Sequence, residues 1–227
     1  MQVYKNLAII GTSHISIESV NEVKNFIEKN KPEIIALELD PKRYLSLISK
    51  DSSKRNALKE ILSVGIKGYL INVIGSYIEK KLGKVVGVKP GSEMIEAISL
   101  AKKYNLKLAL IDQDITITLK KLSKEVRFRE KFKIFKDILK GIFSKKQEVV
   151  KIDLRKVPSQ ELINKIIKKV KKDYPGVYNV LIKERNEVMA KALNKIINLN
   201  NDKKILAIIG AGHEKEVIRL IRSQGNN

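Results

Sequence analysis

The sequence predicts an α/β fold in which a central, mostly parallel or mixed sheet is flanked by helices and carries a basic helical insertion. Short apolar runs alternate with amphipathic helical stretches, which is the pattern of α/β proteins. Two apolar runs at opposite ends of the chain also have nearly the same sequence, LAIIGTSH at 7–14 and LAIIGAGH at 206–213. At 227 residues the chain is predicted to form one domain, residues 1–227, with an aliphatic core.

The predicted strands are short and apolar, and the predicted helices lie between them. Strands are expected over residues 7–10, 34–39, 106–111 and 205–209. Helices are expected over residues 16–28, 57–82, from 92 onward, and from 177 to about 199. The basic insertion, about 119–174, is predicted to be helical in parts, with Pro158 and Pro175 as breakers.

The two matching runs place a histidine where α/β proteins bind ligands. Each run reads as a buried strand, a glycine turn, a histidine and a helix, and ligands bind beyond the carboxyl ends of parallel strands. His14 and His213 are the only two histidines of the chain. We therefore predict that they share a site, formed by two adjacent central strands. The alternative is that each histidine packs or caps a turn independently.

Glu38 is the second candidate, because it stands inside the apolar run IIALELD. A carboxylate is almost never buried without a partner, since removing its charge from water is costly. Glu38 is therefore expected to be a metal ligand, a general base or half of an ion pair. Arg43 is the nearest pairing candidate, and a plain buried salt bridge between the two is the alternative.

Arg185 is the third candidate, because it interrupts the apolar stripe of the helix that follows Pro175. At a period of 3.6, Glu184 and Arg185 fall where the stripe should continue. The stripe is expected to consist of Val177, Leu181, Val188, Ala192 and Ile196. At least one of the two charges should then point inward. The expected partners are Glu38 or Asp112 for Arg185, and Arg43 for Glu184.

Several classes of protein are not supported by the sequence. There is no cysteine, which excludes disulfides and thiolate sites. The motifs GxGxxG, GxxxxGK[ST], HExxH and GxSxG are also absent, so nucleotide binding and serine hydrolysis lack support.

Six segments, spread over nearly the whole chain, resemble the TraB family, which groups with the TIKI proteases and the PrgY pheromone-shutdown proteins. They are GTSH at 11–14, ALELDPKR at 36–43, KPGSEMIEAISLAKK at 89–103, LIDQDITITLKKL at 110–122, LIKERNEVMAKAL at 181–193 and GAGH at 210–213. One departure is Gln113, where the family pattern has an arginine. The resemblance implies an α/β fold shared distantly with ChaN-like and erythromycin-esterase-like proteins.

The resemblance also implies an activity, that of a metal-dependent hydrolase acting on peptide bonds. TIKI members are described as metalloproteases that use manganese or cobalt. Carried over by position, the metal ligands are His14, Glu38 and His213, and the catalytic residues are Glu38, Arg43 and Arg185. Two imidazoles and a carboxylate suit zinc, manganese or cobalt alike. The alternative is a non-catalytic protein that sequesters a peptide or small ligand in the same pocket.

The expected partner is a peptide or protein substrate, with no specific nucleic acid. Association with a membrane surface and formation of a homo-oligomer are left open. Many relatives continue into C-terminal membrane helices. We therefore expect a cytoplasmic protein, or a membrane-associated one where the natural chain continues in that way.

The basic insertion yields a prediction about nucleic acid. The chain has a formal charge of +21, and residues 120–172 carry 19 Lys and Arg against 6 Asp and Glu. Because no nucleic-acid module accompanies these charges, any binding should be independent of base sequence and sensitive to salt. Filter binding with two unrelated duplexes across a salt series measures this. Sequence-selective binding that survives about 200 mM salt would contradict it.

Overall fold

The computed structural model describes residues 1–13, 16–49, 89–143 and 157–224. His14 and the predicted helix at 57–82 lie outside these ranges. The described elements, in chain order, are β1 (Gln2–Tyr4), β2 (Leu7–Thr12), α1 (Ile17–Asn30), β3 (Ile34–Leu37), α2 (Pro41–Ile48), α3 (Ser92–Lys103), β4 (Lys107–Leu110), α4 (Ile115–Glu125), α5 (Phe128–Phe143), α6 (Gln160–Asp173), α7 (Pro175–Tyr178), a π-helical turn (Asn179–Lys183), α8 (Glu184–Leu199), β5 (Ile205–Gly210) and α9 (Ala211–Gln224).

The sheet is mixed, with the strand order β1-β2-β5-β3-β4. Strands β2, β5, β3 and β4 are parallel, and β1 is an antiparallel edge strand. Leu7 of β2 and Ile34 of β3 both pair with Ile205 of β5, so the two matching runs are adjacent strands as predicted. The α/β fold is confirmed. Strand β1 was not predicted, because three mostly exposed residues give no apolar signal.

Helices cover both faces of the sheet, because successive side chains of a buried parallel strand point to opposite sides. Ile34 and Ala36 pack on one face beneath α8 and α9. Ile35 and Leu37, one residue along, pack on the other face beneath α1 and α3. Both faces are therefore dry, which explains why these strands are apolar throughout rather than alternating.

The segment after the third strand differs from the prediction in a way that positions Arg43. The strand ends at Leu37 rather than at residue 39, and helix α2 begins at Pro41. The Asp40 side chain caps α2 by accepting hydrogen bonds from the backbone N–H groups of Lys42 and Arg43, at 2.9 and 3.3 Å. Proline at the first helical position suits this start. The cap places Arg43 in the first turn of α2.

Part of the basic insertion is described, and it is helical as predicted. Helices α4, α5 and α6 account for it on either side of the gap at 144–156. Helix α6 has a well-developed apolar side that contacts α9, and its lysines face outward. Within the four described ranges, no helix is both long and apolar enough to cross a membrane.

The predicted apolar stripe of the helix after Pro175 is displaced by one position in α8, although Ala192 and Ile196 are partly buried against the core. Val188 is exposed, whereas the neighbouring Met189 is fully buried, together with Leu193 and Ile197. The cause is the π-helical turn at Asn179–Lys183, in which each hydrogen bond spans one more residue than in an α-helix. The extra residue in this turn rotates the buried face of α8 by one position relative to α7. A stripe predicted at a constant period of 3.6 residues does not include this rotation.

The position of the buried face can be tested with one substitution at two sites of α8. Leu193 is 0% exposed and Leu199 is 71% exposed. Leu193→Ala should lower the free energy of unfolding by about 2–5 kcal/mol, because it leaves a cavity in the core. Leu199→Ala should change it by less than about 0.5 kcal/mol. Urea unfolding followed by circular dichroism measures both, and similar losses in the two variants would contradict the assigned face.

Candidate functional site

Chemically active side chains meet at the carboxyl edge of three neighbouring strands. Glu38 follows β3 directly, Asp112 lies two residues beyond β4, and His213 lies in the first turn of the helix that follows β5. Because β3 stands between β5 and β4 in the sheet, these three strand ends are consecutive. This is the edge at which open α/β sheets bind ligands.

Glu38 is buried and is held from two sides. Its Oε2 accepts a hydrogen bond from the backbone N–H of Gly210, the last residue of β5, and its Oε1 accepts one from Nη2 of Arg185. The Nε2 atom of His213 lies 3.6 Å from Oε1. The prediction that Glu38 has a charged partner is confirmed, but the partner is Arg185 rather than Arg43.

Arg185 joins two carboxylates from different strands. Its Nε and Nη2 donate to the two oxygens of Asp112 at 2.9 and 2.7 Å, while Nη2 also contacts Glu38. Its Nη1 donates to the carbonyl of Leu181 at 3.3 Å. The side chain is only 14% exposed, so the expectation that it points inward is confirmed. Burial alone would lower the pKa of Arg185, but the two carboxylates outweigh burial and raise it above its usual range.

Arg43 belongs to the same cluster through Asp112. Its Nη1 donates to Oδ2 of Asp112 at 3.0 Å, and its side chain is 35% exposed. The alternative of a plain salt bridge between Arg43 and Glu38 is wrong, because α2 turns Arg43 toward the end of β4 while Glu38 faces Gly210 of β5. Arg43 is therefore the more accessible of the two arginines.

Glu184 lies outside this cluster, although the sequence placed it beside Arg185. Its carboxylate pairs with Lys121 of α4 at 2.8 Å, so the predicted pair with Arg43 is wrong. Consecutive residues of a helix point about 100° apart. Arg185 faces the sheet edge, and Glu184 consequently faces α4.

Asn186 fixes the ring of His213, and the sequence reasoning missed it. The Oδ1 atom of Asn186 lies 2.6 Å from Nδ1 of His213, and both residues are buried. An amide oxygen can only accept, so this contact places a proton on Nδ1, and Nε2 on the other side of the ring faces Glu38 Oε1 and Arg185 Nη1. Asn186 stands one turn before the buried Met189 and Ala190, but the stripe predicted at a constant period passed through Val188 and left Asn186 off the inner face.

The glycines of the two matching runs have a different role from the one predicted. Gly11 and Gly210 lie inside β2 and β5 rather than in turns, and among the described glycines only Gly91 has a positive φ. A Cβ built on Gly11 would approach the Cα of Ala211 to 3.1 Å. Glycine is therefore needed at position 11 because the start of α9 packs directly on β2.

The described residues provide two of the three predicted metal ligands. A separation of 3.6 Å between His213 Nε2 and Glu38 Oε1 is close to the roughly 3.4 Å expected of two tetrahedral ligands with bonds of about 2.1 Å. The guanidinium of Arg185 contacts both atoms, with Nη1 3.4 Å from Nε2. His14, the third predicted ligand, lies outside the described residues, and within them no three His, Asp or Glu side chains group as a metal site.

Comparisons with known proteins give the same family as the sequence motifs. The model of the TraB/PrgY/gumN family matches residues 4–226. An uncharacterised protein of Methanocaldococcus jannaschii is 37% identical, over 97% of this chain and 54% of its own length. TraB domain-containing proteins of Mus musculus and Homo sapiens are 22% and 21% identical, over 82% of this chain and 51% of their lengths. The chain thus spans about half the length of these relatives. It belongs to the TraB/PrgY/gumN family.

Proposed function

We propose that this chain is a metal-dependent hydrolase that cleaves peptide bonds. His14, Glu38 and His213 would hold a divalent manganese, cobalt or zinc ion. The observation that carries the proposal is the meeting of Glu38 Oε1 and His213 Nε2, 3.6 Å apart, at the carboxyl edge of adjacent parallel strands. Family membership supports the same site, because the motifs that define the resemblance contain these residues.

The buried Asn186 supports a ligand role for His213. Histidines that bind metals usually donate the proton of the other ring nitrogen to a fixed acceptor, which sets the tautomer and the ring orientation. Asn186 Oδ1 is such an acceptor at 2.6 Å from Nδ1. A bound divalent ion would supply Lewis acidity, which makes water a stronger acid and polarises a carbonyl group.

The two arginines suit different tasks. Arg185 makes two hydrogen bonds to Asp112 and one to Glu38, so it holds the two strand ends together. Arg43 makes one ion pair and is 35% exposed, so its guanidinium can reach a substrate. We assign Arg43 to the stabilisation of the negative oxygen that forms during hydrolysis. Glu38 serves as a metal ligand or as the general base.

A non-catalytic binder is the second candidate, and one observation favours it. Glu38 and Asp112 are matched in charge by Arg185 and Arg43, so the described cluster is neutral without a metal ion. A neutral, fully hydrogen-bonded cluster could serve as the rigid wall of a ligand pocket. Stoichiometric metal together with turnover separates the two candidates.

Metal content provides the first test of the proposed site. The purified parent should hold about one divalent ion per chain, and His14→Ala and His213→Ala should each reduce that content strongly, because each variant removes a nitrogen ligand. Elemental analysis after passage over a chelating resin measures the content, and a metal-dependent peptidase assay accompanies it.

A matched control comes from the opposite edge of the sheet. Asp202 is exposed and lies just before β5, so Asp202→Asn should retain the metal content of the parent. Equal content in the parent and both histidine variants would refute a shared site. Stoichiometric metal without cleavage of any peptide would favour the sequestering protein.

Substitution of Arg185 should mainly lower stability, whereas substitution of Arg43 should mainly lower turnover. Arg185→Ala strands the buried Glu38 carboxylate, so we expect a loss of about 3–5 kcal/mol in unfolding free energy. Without its partner, the buried Glu38 carboxyl should have a raised pKa, because burial disfavours its charged form. Lowering the pH then protonates Glu38 in the folded variant, so the loss of unfolding free energy relative to the parent should become smaller as the pH falls. Urea unfolding at several pH values measures this. An unchanged free energy of unfolding would contradict the holding role.

Arg43→Ala should behave in the opposite way. Asp112 keeps both hydrogen bonds from Arg185, so stability should fall by less than about 1 kcal/mol. Peptidase kcat should fall about 100-fold if Arg43 steadies the oxyanion. Arg129→Ala is the control, since Arg129 is an exposed residue of α5 away from the cluster. Normal turnover in Arg43→Ala would remove Arg43 from the mechanism.

A further inference from the structure

A cleft of about 660 Å³ opens between α6 and α9, next to the candidate site but separate from its ion pairs. Its lining includes Asn186 from α8, and Ala211 and Gly212 from the first turn of α9. The cleft is connected to His213 through Asn186, whose Oδ1 lies 2.6 Å from Nδ1 of that ring. Volumes of about 300–1,000 Å³ are typical of small-ligand sites, which leaves room for a short peptide segment but not for a folded domain.

Asn186 is the buried polar group in the wall of this cleft. Its Oδ1 faces Nδ1 of His213, and its Nδ2 has no hydrogen-bond partner within the described part of the chain. Buried polar atoms nearly always have partners, so each exception calls for an explanation. An N–H group requires an acceptor, and the carbonyl oxygen of a bound chain would provide one.

The rest of the lining is apolar on one side and carries charges of both signs on the other. Ile163 and Ile167 of α6 and Ile182 of the π-helical turn form the apolar side. The α9 side carries three cations and two carboxylates, from Lys215, Arg219, Arg222, Glu214 and Glu216. A ligand that fits both sides carries an aliphatic side chain beside both hydrogen-bond donors and acceptors. An extended peptide has this combination of groups in every residue.

We propose that this cleft binds the peptide substrate, seating an aliphatic side chain on the three isoleucines while a substrate carbonyl accepts from Asn186. The proposal rests on the proposed peptidase function and names the substrate class, peptides with Leu or Ile at one subsite. It also gives Asn186 two contacts, one with His213 and one with the substrate. Asn186 would then connect a substrate bound there to the ring of His213.

The test uses binding, which does not require turnover. Four tetrapeptides, N-acetylated and C-amidated, differ only in having Leu, Ile, Asp or Lys at the second position. They are titrated into protein labelled at isoleucine δ1 methyl groups and observed by NMR. The Leu and Ile peptides should shift the signals of Ile163, Ile167 and Ile182, and should bind about tenfold more tightly than the Asp and Lys peptides, the scale of one apolar side chain in a pocket.

Two variants of the cleft should weaken binding of the Leu peptide about tenfold or more. Gly212→Leu fills the cleft, since a Cβ at this position meets only the Cδ1 of Ile167, at 3.9 Å, and leucine is a better helix former than glycine. Ile167→Gln makes the apolar side polar. Ile166→Gln is the control, because Ile166 is the next residue of the same helix, is 45% exposed and lies outside the cleft. Thermal melting confirms that each variant is folded.

The outcomes separate this proposal from the proposed function. No shift of the three isoleucine signals, equal binding of all four peptides, or parent-like binding by Gly212→Leu and Ile167→Gln would each overturn the cleft assignment, even if peptides are cleaved. Selective binding that both cleft variants lose, without any cleavage, would uphold the cleft and refute hydrolysis.

Discussion

The guanidinium of Arg185, held between Glu38 and Asp112, is the interaction on which the geometry of the site depends. The two carboxylates come from neighbouring parallel strands and are both nearly inaccessible to water. Two buried negative charges this close would repel each other and would each lack hydration. Arg185 resolves both problems with three hydrogen bonds, and the backbone N–H of Gly210 satisfies the second oxygen of Glu38. Buried ion pairs add little net stability, but they fix positions, because removing one partner is costly.

The need to place Arg185 between the two carboxylates also determines how α8 is oriented on the sheet. The same helix has to present Arg185 and Asn186 at the sheet edge and bury Met189 and Leu193 in the core. The π-helical turn before α8 sets this phase, because a single turn of wider winding rotates everything that follows. Such turns are frequent at functional sites. Here the turn also contributes Ile182 to the wall of the cleft, so one local deviation shapes both the charged cluster and the neighbouring pocket.

The sequence predicted the architecture of the sheet better than the contacts of the site. Buried parallel strands are apolar throughout, so β2, β3, β4 and β5 were visible, and a charge on an apolar helix face correctly indicated that Arg185 points inward. The pairing of Arg43 with Glu38 was wrong because nearness in sequence was taken for nearness in space. The strand order decides that question: Arg43 reaches the end of β4, and Glu38 faces β5. The role of Asn186 depends on the helical phase, which the π-helical turn changes, so a constant period could not reveal it.

The cluster also constrains how a metal ion could be accommodated under the proposed function. Arg185 and a divalent cation would both approach Glu38 Oε1 and His213 Nε2, and two cations cannot share that space. The contacts of Arg185 are unequal, however, with two hydrogen bonds to Asp112 and one to Glu38. Asp112 therefore serves as its anchor, and Glu38 is the partner that can be exchanged. A small rotation about that anchor would free the carboxylate of Glu38 for a ligand and keep the arginine charge paired. In this arrangement Asp112, which anchors Arg185, determines whether Glu38 is available for chemistry.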